Sequence, residues 1–517
     1  MRRARRQARI VLLISIFLLL FGLLLVRLFS LQLLQGWRLA RQAAAQRTDT
    51  YVYASGRGQI LDRHGLSLHA FLQEVRRGEA ADHTSSDLAP VYLQNLALVE
   101  EVRYSSASLA AHVTGYIRRP VNPLQPSEGI SGLERTFNRE LWGTPAAVGV
   151  IVDAKGRMVP GYGISEWKYE HLRRPYSVVT TIDRKLQAAA EAVGKDAIKK
   201  GAFILLDPQN GDILVLASFP RLPVEDLYRG TTGEKLKQME RDQVYLNRAL
   251  MPYAVGSVFK VIVAAAALEE KLPASRDVFL CDGFYELGDR QISCFAGTSH
   301  GKIGLQQALI TSCNGYFIDL ALGLGKEKVI EMAKRFKLGQ ATGIPLGGEA
   351  AGIIPDAADL LYGGDVANLA IGQGAITATP LQLARVMSIL ANSGRDVYPR
   401  LVSKVIDKNG NTVRNYPVQY GSLVIAPALA QKLREMLVPV VEVGTASPAK
   451  SDKYGAAGKS GTAQLAGKDY SRSWFAGMVE TGKETWVAVL LLEEHYAGEP
   501  TASAVFRRVM EAVLDAR

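Results

Sequence analysis

Long apolar runs are nearly missing from this chain. One stands close to the N-terminus, and no second of comparable length follows, which excludes a protein that crosses a membrane many times. Cysteine and histidine are also sparse, three and seven in 517 residues. They show no paired ligand spacing such as His-x-x-x-His, so neither a metal nor another cofactor is expected. The formal net charge of +11 invites a nucleic-acid reading. No basic stripe with interleaved aromatics supports one, so no nucleic-acid partner is expected, and an anionic surface fits the charge as well. Charged residues make up 21% against 48% hydrophobic, the balance of a folded chain with sizeable cores and not of a disordered one.

The single apolar run sets the compartment. Arg2, Arg3, Arg5, Arg6 and Arg9 form a basic head, Ile10 to Val26 is uncharged, and the run continues past Arg27 to Leu34. That length spans a bilayer, and no small-residue cleavage site follows it closely. The positive-inside rule puts residues 1–9 in the cytoplasm, a membrane helix at 10–35 and the remainder outside. Residues 36–165 read as an irregular pedestal with short strands at Thr50 to Tyr53 and Val148 to Val152, and a short helix from Gly132 to Phe137. A polar insertion covers 73–108, and Pro120, Pro123 and Pro126 mark another irregular stretch. Residues 166–517 read as an α+β unit. A helix capped by Asp183 is followed by a hairpin around Asn210-Gly211, then by a helical middle. The end returns to strands at Ser473 to Glu480 and Thr485 to Leu492, with a closing helix from about Thr501.

Within that unit Ser257 and Lys260 stand three residues apart at a helix start, on one face, ahead of the apolar run Val261 to Leu268. A serine hydroxyl needs a base, and a lysine desolvated by apolar neighbours has its pKa lowered enough to serve. Gly256 lets the chain turn tightly into that helix, where free N–H groups can face an oxyanion. Further on stand Ser312-Cys313-Asn314, between two helical segments, and Lys459-Ser460-Gly461-Thr462, on a glycine-rich strand. Alone, each has a plain structural explanation: a helix start, a turn, and an edge strand blunted by a lysine.

The three motifs in this order resemble those of the penicillin-binding proteins, with Ser-Cys-Asn and Lys-Ser-Gly keeping the hydroxyls and the amide of the usual Ser-Asp-Asn and Lys-Thr-Gly. Further stretches resemble the class B, monofunctional transpeptidase branch: Arg57 to Arg63, Gly129 to Glu134, Asn247 to Ala249, Gly372-Gln373-Gly374 before Thr379 to Gln382, Gly444 to Ala446 and Trp474 to Gly477. The chain departs from the pattern at Ala254-Val255, ahead of Gly256, and in the shortness of the head insertion.

The resemblance implies an antiparallel sheet with helices in a penicillin-binding, serine β-lactamase-like domain. It also implies a site in which Ser257 is the nucleophile, Lys260 its base and Ser312 a proton relay. Asn314, Lys459, Ser460, Gly461 and Thr462 would bind substrate. Peptidoglycan stem peptides are then the substrates, β-lactam antibiotics the trapping ligands, and a membrane-embedded glycan polymerase the expected partner. A carboxypeptidase or β-lactamase on the same domain, or a silent β-lactam-sensing scaffold, are the alternatives. The hydrolases would need a water-activating group that the sequence does not display, and a scaffold need not keep Ser257, Lys260 and Lys459. Cys281 and Cys294 bracket a hairpin expected at 283–290, which leaves a bridge between them open.

Overall fold

The computed structural model describes residues 2–39, 48–54, 56–69, 72–76, 98–118, 127–143, 146–151, 153, 164–167, 174–272, 278–465, 467–482 and 484–517. Much of the expected insertion and the three spaced prolines lie outside them.

The N-terminal helix Arg2–Phe29 runs on into one wider turn, Ser30–Leu34. Residues Ile10–Leu34 have a mean hydropathy of 2.9 and are nowhere buried against the rest of the chain. Among the described residues this is the one helix long and apolar enough to cross a membrane.

Thr48–Ala54, Ala146–Ile151 and Ile164–Trp167 then form a three-stranded antiparallel sheet. The arginine-glycine segment after it does not stay within the pedestal. Ile60–Leu61 pairs in parallel with Val178 and Val179 of the strand Ser177–Thr180, which also pairs with Val402–Ile406. One sheet therefore takes its first strand from the 36–165 region and its others from the α+β unit. Beneath it lies a buried ionic knot. Arg57 Nε donates to Glu134 Oε2 at 2.6 Å and Arg103 Nε to Oε1 at 2.7 Å, while Arg103 also reaches Gly58 O at 2.6 Å. Nothing in the sequence pairs them: Arg57 and Glu134 stand in two stretches of family likeness, and Arg103 within the polar insertion expected at 73–108.

The α+β unit is built on five strands: β1 (Gly201–Leu206), β2 (Ile213–Phe219), β3 (Gly455–Gln464), β4 (Ser471–Glu480) and β5 (Thr485–His495). Their order is β2-β1-β5-β4-β3, antiparallel throughout, so both ends of the unit meet in the middle of the sheet as expected. Every residue of β1 and β2 is buried, which the unbroken apolar runs require of strands covered on both faces. Helix Pro380–Ala391 packs against β1, β4 and β5, and helices Arg184–Ala197 and Ala502–Asp515 pack on each other and on the sheet. Each of the first two starts where its sequence dictates. Asp183 accepts from the N–H groups of Lys185 and Leu186, and Thr379 forms a capping box with Gln382 behind Pro380. The helix Lys260–Glu269 is buried on all sides from Lys260 to Ala267, at the centre of the core. Each fully buried Val or Ile there contributes about 1.5–3 kcal/mol.

Candidate active site

Ser257 sits in a 3₁₀ turn, Gly256–Phe259, that winds directly into the helix beginning at Lys260. The tightness of that entry is a backbone property. Gly256 takes φ +59°, and a Cβ there would fall 2.7 Å from Thr462 O and, for its neighbour Gly372, 2.1 Å from Gly256 O. Gly461, on β3, faces the same turn, and a Cβ on it would meet Val258 Cγ2 at 3.0 Å and Val255 O at 3.2 Å. Three glycines from separate stretches thus let the serine turn lie against β3 and the Gly372 segment, tied by Gly256 N to Gly372 O at 2.8 Å. Trp474, fully buried on β4, donates Nε1–H to Ala254 O at 3.0 Å and anchors the approach to the turn. The unusual Ala254-Val255 pair is accommodated here, with Val255 buried and Ala254 in a two-residue strand with Tyr253.

Lys260 joins the first two motifs. Its Nζ donates to Ser312 O at 2.7 Å, to Asn314 Oδ1 at 2.7 Å and to Ser312 Oγ at 3.3 Å. Burial in the core lowers its pKa from the ordinary lysine value to about 7, against a smaller upward pull from Cys313 and Cys294. The sequence expectation that the apolar run would desolvate this lysine is thereby met in geometry. Ser312 occupies a tight turn in the left-handed region, φ +55°, between helices Leu305–Ile310 and Asn314–Leu324. Cys313 caps the second helix, its Sγ accepting from Tyr316 N at 3.4 Å. Asn314 spends its amide on both sides, accepting from Lys260 and donating Nδ2–H to Ser293 O at 2.9 Å. It therefore holds the lysine and the hairpin Phe284–Leu287/Arg290–Ser293 in one frame.

Across the turn, β3 is an edge strand of the sheet, but Lys459 is not an edge-blunting lysine. It is fully buried, with Nζ 3.1 Å from Ser460 O and 3.5 Å from Thr445 Oγ1. Burial, and then the nearby charge of Lys260, push its pKa well below the usual value. Ser460 Oγ donates to Thr445 Oγ1 at 3.1 Å, while Thr462 stands exposed further along the strand. Thr445 lies in Gly444-Thr445-Ala446, one of the stretches of family likeness, and it is the hydroxyl that links Lys459 to Ser460. No hydrogen bond joins Ser257 Oγ to another described residue, so the hydroxyl is left for an incoming group. The structure gathers Ser257, Lys260, Ser312 and Asn314 on one side and Lys459, Ser460, Gly461 and Thr462 on the other.

The bridge left open between Cys281 and Cys294 is not formed. All three are free and buried, with Cys281 Sγ 3.7 Å from Cys294 Sγ and 3.4 Å from Cys313 Sγ, and Cys294 Sγ 3.8 Å from Cys313 Sγ. His300 Nδ1 lies 3.2 Å from Cys281 Sγ, and the four donor atoms fall within 4.8 Å of one another. No ligand grouping was expected, because spacing along the chain showed none. The fold supplies it, since the hairpin flanks bring Cys281, Cys294 and His300 against the turn that carries Cys313. Three thiols and an imidazole at these separations are a donor set able to hold Zn²⁺.

Comparison with known proteins adds the following. Residues 201–511 match the model of the penicillin binding protein transpeptidase domain. The peptidoglycan D,D-transpeptidase MrdA of Acinetobacter baumannii is 29% identical over 386 residues, covering 70% of this chain and 56% of that protein. Stage V sporulation protein D of Bacillus subtilis is 31% identical over 405 residues, covering 76% and 58%. The matches thus span little more than half the length of these relatives. Among solved structures, a chain described under the structural coordination of polymerization and crosslinking by a peptidoglycan synthase complex superposes with a TM-score of 0.71 at 26% identity, over 98% of this chain and 99% of that one. A D,D-transpeptidase domain from Eggerthella lenta superposes with a TM-score of 0.69 at 26% identity, over 89% and 99%.

Proposed function

Because this chain belongs to the penicillin-binding protein transpeptidase family, in its class B branch, we propose that it is a D,D-transpeptidase that cross-links peptidoglycan stem peptides through an acyl-serine intermediate. The observation that carries this reading is the meeting of Lys260 Nζ with both Ser312 and Asn314, one helical turn from Ser257. Ser257 Oγ bonds to the carbonyl carbon of the penultimate D-alanine as its proton passes to neutral Lys260. The N–H groups of Ser257 and Thr462 face the oxyanion, each such donor contributing roughly 3 kcal/mol. Collapse breaks the C–N bond, and Ser312 passes the proton from Lys260 to the departing D-alanine amine. An amine of a neighbouring stem peptide then takes the acyl group. A β-lactam acylates the same oxygen and stays attached.

Lys459 has the second role. Buried and uncompensated, it resists charge, and the terminal carboxylate of the donor peptide would restore that charge as it binds among the Ser460 and Thr462 hydroxyls. Asn314 reaches the donor peptide amide by exchanging its bond to Ser293 O. Residues 1–9 form a cytoplasmic tail, 10–35 a membrane helix, 36–165 a pedestal and 166–517 the catalytic domain outside the membrane. The basic head and the apolar helix support that orientation. The relative drawn from a peptidoglycan synthase complex supports a glycan polymerase in the membrane as partner.

Purified protein given a stem pentapeptide and an amine acceptor is expected to release D-alanine and to form the aminolysis product. Release without aminolysis makes the enzyme a carboxypeptidase, and no release removes the reading. Acylation by a β-lactam is expected to follow a pH profile that rises through about 7 as Lys260 loses its proton. Above that pH the base is neutral and the rate levels off. Below it the ammonium can no longer accept a proton, so stopped-flow rates fall about tenfold per pH unit.

A further inference from the structure

Most of the +11 charge lies outside the acyl-transfer site, and part of it gathers where the two regions of the chain share a sheet. A cavity of about 290 Å³ opens there, with Arg63, Thr181, Asp212, Arg400, Ser403 and Lys404 in its lining. We propose that this cavity binds a phosphate group carried on a sugar or polyol, as a phosphate-bearing polymer of the cell envelope presents it.

The cations come from both sides of the junction. Arg63 follows the parallel strand Ile60–Leu61, and its backbone N–H donates to Ile182 O at 2.9 Å. Arg400 precedes the strand Val402–Ile406, and Lys404 lies within it. In a regular strand Ser403 and Lys404 would point to opposite faces, yet both line this cavity. A bulge accounts for that. Val402 pairs with Thr180 and Lys404 with the adjacent Val179, so Ser403 is the extra residue, and its Oγ donates to Val179 O at 3.1 Å. The irregularity thus brings an ammonium to a cavity that already has two guanidiniums.

The one carboxylate in the lining is already engaged. Asp212 Oδ1 accepts from Arg400 Nε at 2.6 Å, and Arg400 Nη1 donates to Tyr416 O at 3.0 Å. Asp207, close enough to feel the charge of Arg63, accepts from Gln209 N and Asn210 Nδ2 instead of from the guanidinium. Among the described residues neither the Arg63 nor the Lys404 side chain makes a hydrogen bond or ion pair, and nothing engages Arg400 Nη2. Free donors on three cations around one cavity suit a tetrahedral oxyanion better than a planar carboxylate. Ser403 Oγ gives its proton to Val179 O and keeps its lone pairs, the partners that a sugar or polyol hydroxyl needs. The volume lies at the lower end for ligand sites, enough for one such unit and its phosphate. Thr181 and Asp212 are buried, so a flat bilayer cannot reach them, whereas a single unit of a flexible chain can.

The envelope as source rests on the extracytoplasmic reading above, while the binding itself does not. Full-length protein in uncharged detergent and phosphate-free buffer is titrated by calorimetry with glycerol 3-phosphate and glucose 6-phosphate. Inorganic phosphate, glycerol and glucose are the comparisons. Both esters are expected to bind, inorganic phosphate about tenfold more weakly, and the uncharged compounds not at all. Arg63→Gln and Lys404→Gln each weaken the esters about tenfold, and the double variant removes binding. Melting temperature and acylation by a fluorescent penicillin stay unchanged in these variants, since neither side chain holds another group. Lys408→Gln, on the exposed turn after the same strand, keeps ester binding and controls for loss of charge alone. Absence of ester binding, or equal binding by the double variant, overturns the proposal. Inorganic phosphate as tight as its esters overturns the sugar or polyol part. Anionic phospholipid vesicles that bind the parent but not the double variant, with no binding of soluble esters, replace the polymer by a lipid surface. If the parent does not acylate, the enzyme reading fails, while the ester titrations still decide this site.

Discussion

Ser257→Ala abolishes covalent labelling by a fluorescent β-lactam, with a rate loss of roughly 10⁴-fold or more, and leaves the protein folded. The size follows from chemistry, since no other group stands at the head of the turn to accept the acyl chain. The intact fold follows from structure. Ser257 Oγ makes no hydrogen bond among the described residues, so its removal strands no buried partner. The three bonds of Lys260 Nζ run to Ser312 and Asn314 and survive the change. Labelling on a gel beside a thermal melt checks both halves. A variant that melts like the parent and still acylates at the parental rate would remove Ser257 from the mechanism.

The second large effect lies far from the serine. Glu134→Gln is expected to destabilise the protein by about 3–5 kcal/mol, because two buried guanidiniums lose their shared counter-charge. Burial pushes the Glu134 carboxyl up, but the charges of Arg103 and Arg57 outweigh it and hold the pKa below the usual value. Arg57 also donates to Glu134 O, Asn138 Oδ1 and Ser127 O, so it cannot follow a lost charge into water without breaking the segment that carries Ile60–Leu61. A drop in melting temperature with the acylation rate per folded molecule unchanged is the expected signature. His69, beside this carboxylate, adds a pH dependence of known sign. Burial, and then Arg103, lower its pKa from 6.5 to about 3. The unfolded chain therefore binds a proton that the folded chain refuses, and stability falls as the pH drops from about 6.5 towards 3. Denaturant midpoints measured at pH 7 and 5 check this, and His69→Gln should flatten the difference.

What could be read from the sequence was what lies close along the chain. The Asp183 cap, the hairpin about Asn210-Gly211 and the start of the Ser257 helix each depend on neighbours within a few residues, and each stands where it was expected. The three motifs announced themselves through residue type and order, although the contact between Lys260 and Ser312 spans 52 residues. The buried state of Lys459 was not legible, because a lysine on a glycine-rich strand looks the same at an exposed edge. Nor was the ionic knot, whose partners lie 31 and 77 residues apart. The thiol cluster was missed for a similar reason: its ligands share neither a helix face nor a strand, and only the docking of a hairpin on a turn collects them. Thr445 gave no signal beyond a short stretch of family likeness.

The close seating of Gly256, Gly372 and Gly461 fixes more than one turn. Where two pieces of main chain touch with no side chain between them, their separation is an invariant of the fold, and no rotamer change can adjust it. The gap between the main chain of the serine turn and that of β3 is therefore set before any acyl donor enters. Preference for one donor over another, or escape from an antibiotic, has to be written elsewhere: in the exposed hairpin edge, in Phe295, or in the hydroxyls of Ser460 and Thr462. The gap itself is a gauge that the chain cannot reset without ceasing to close the turn.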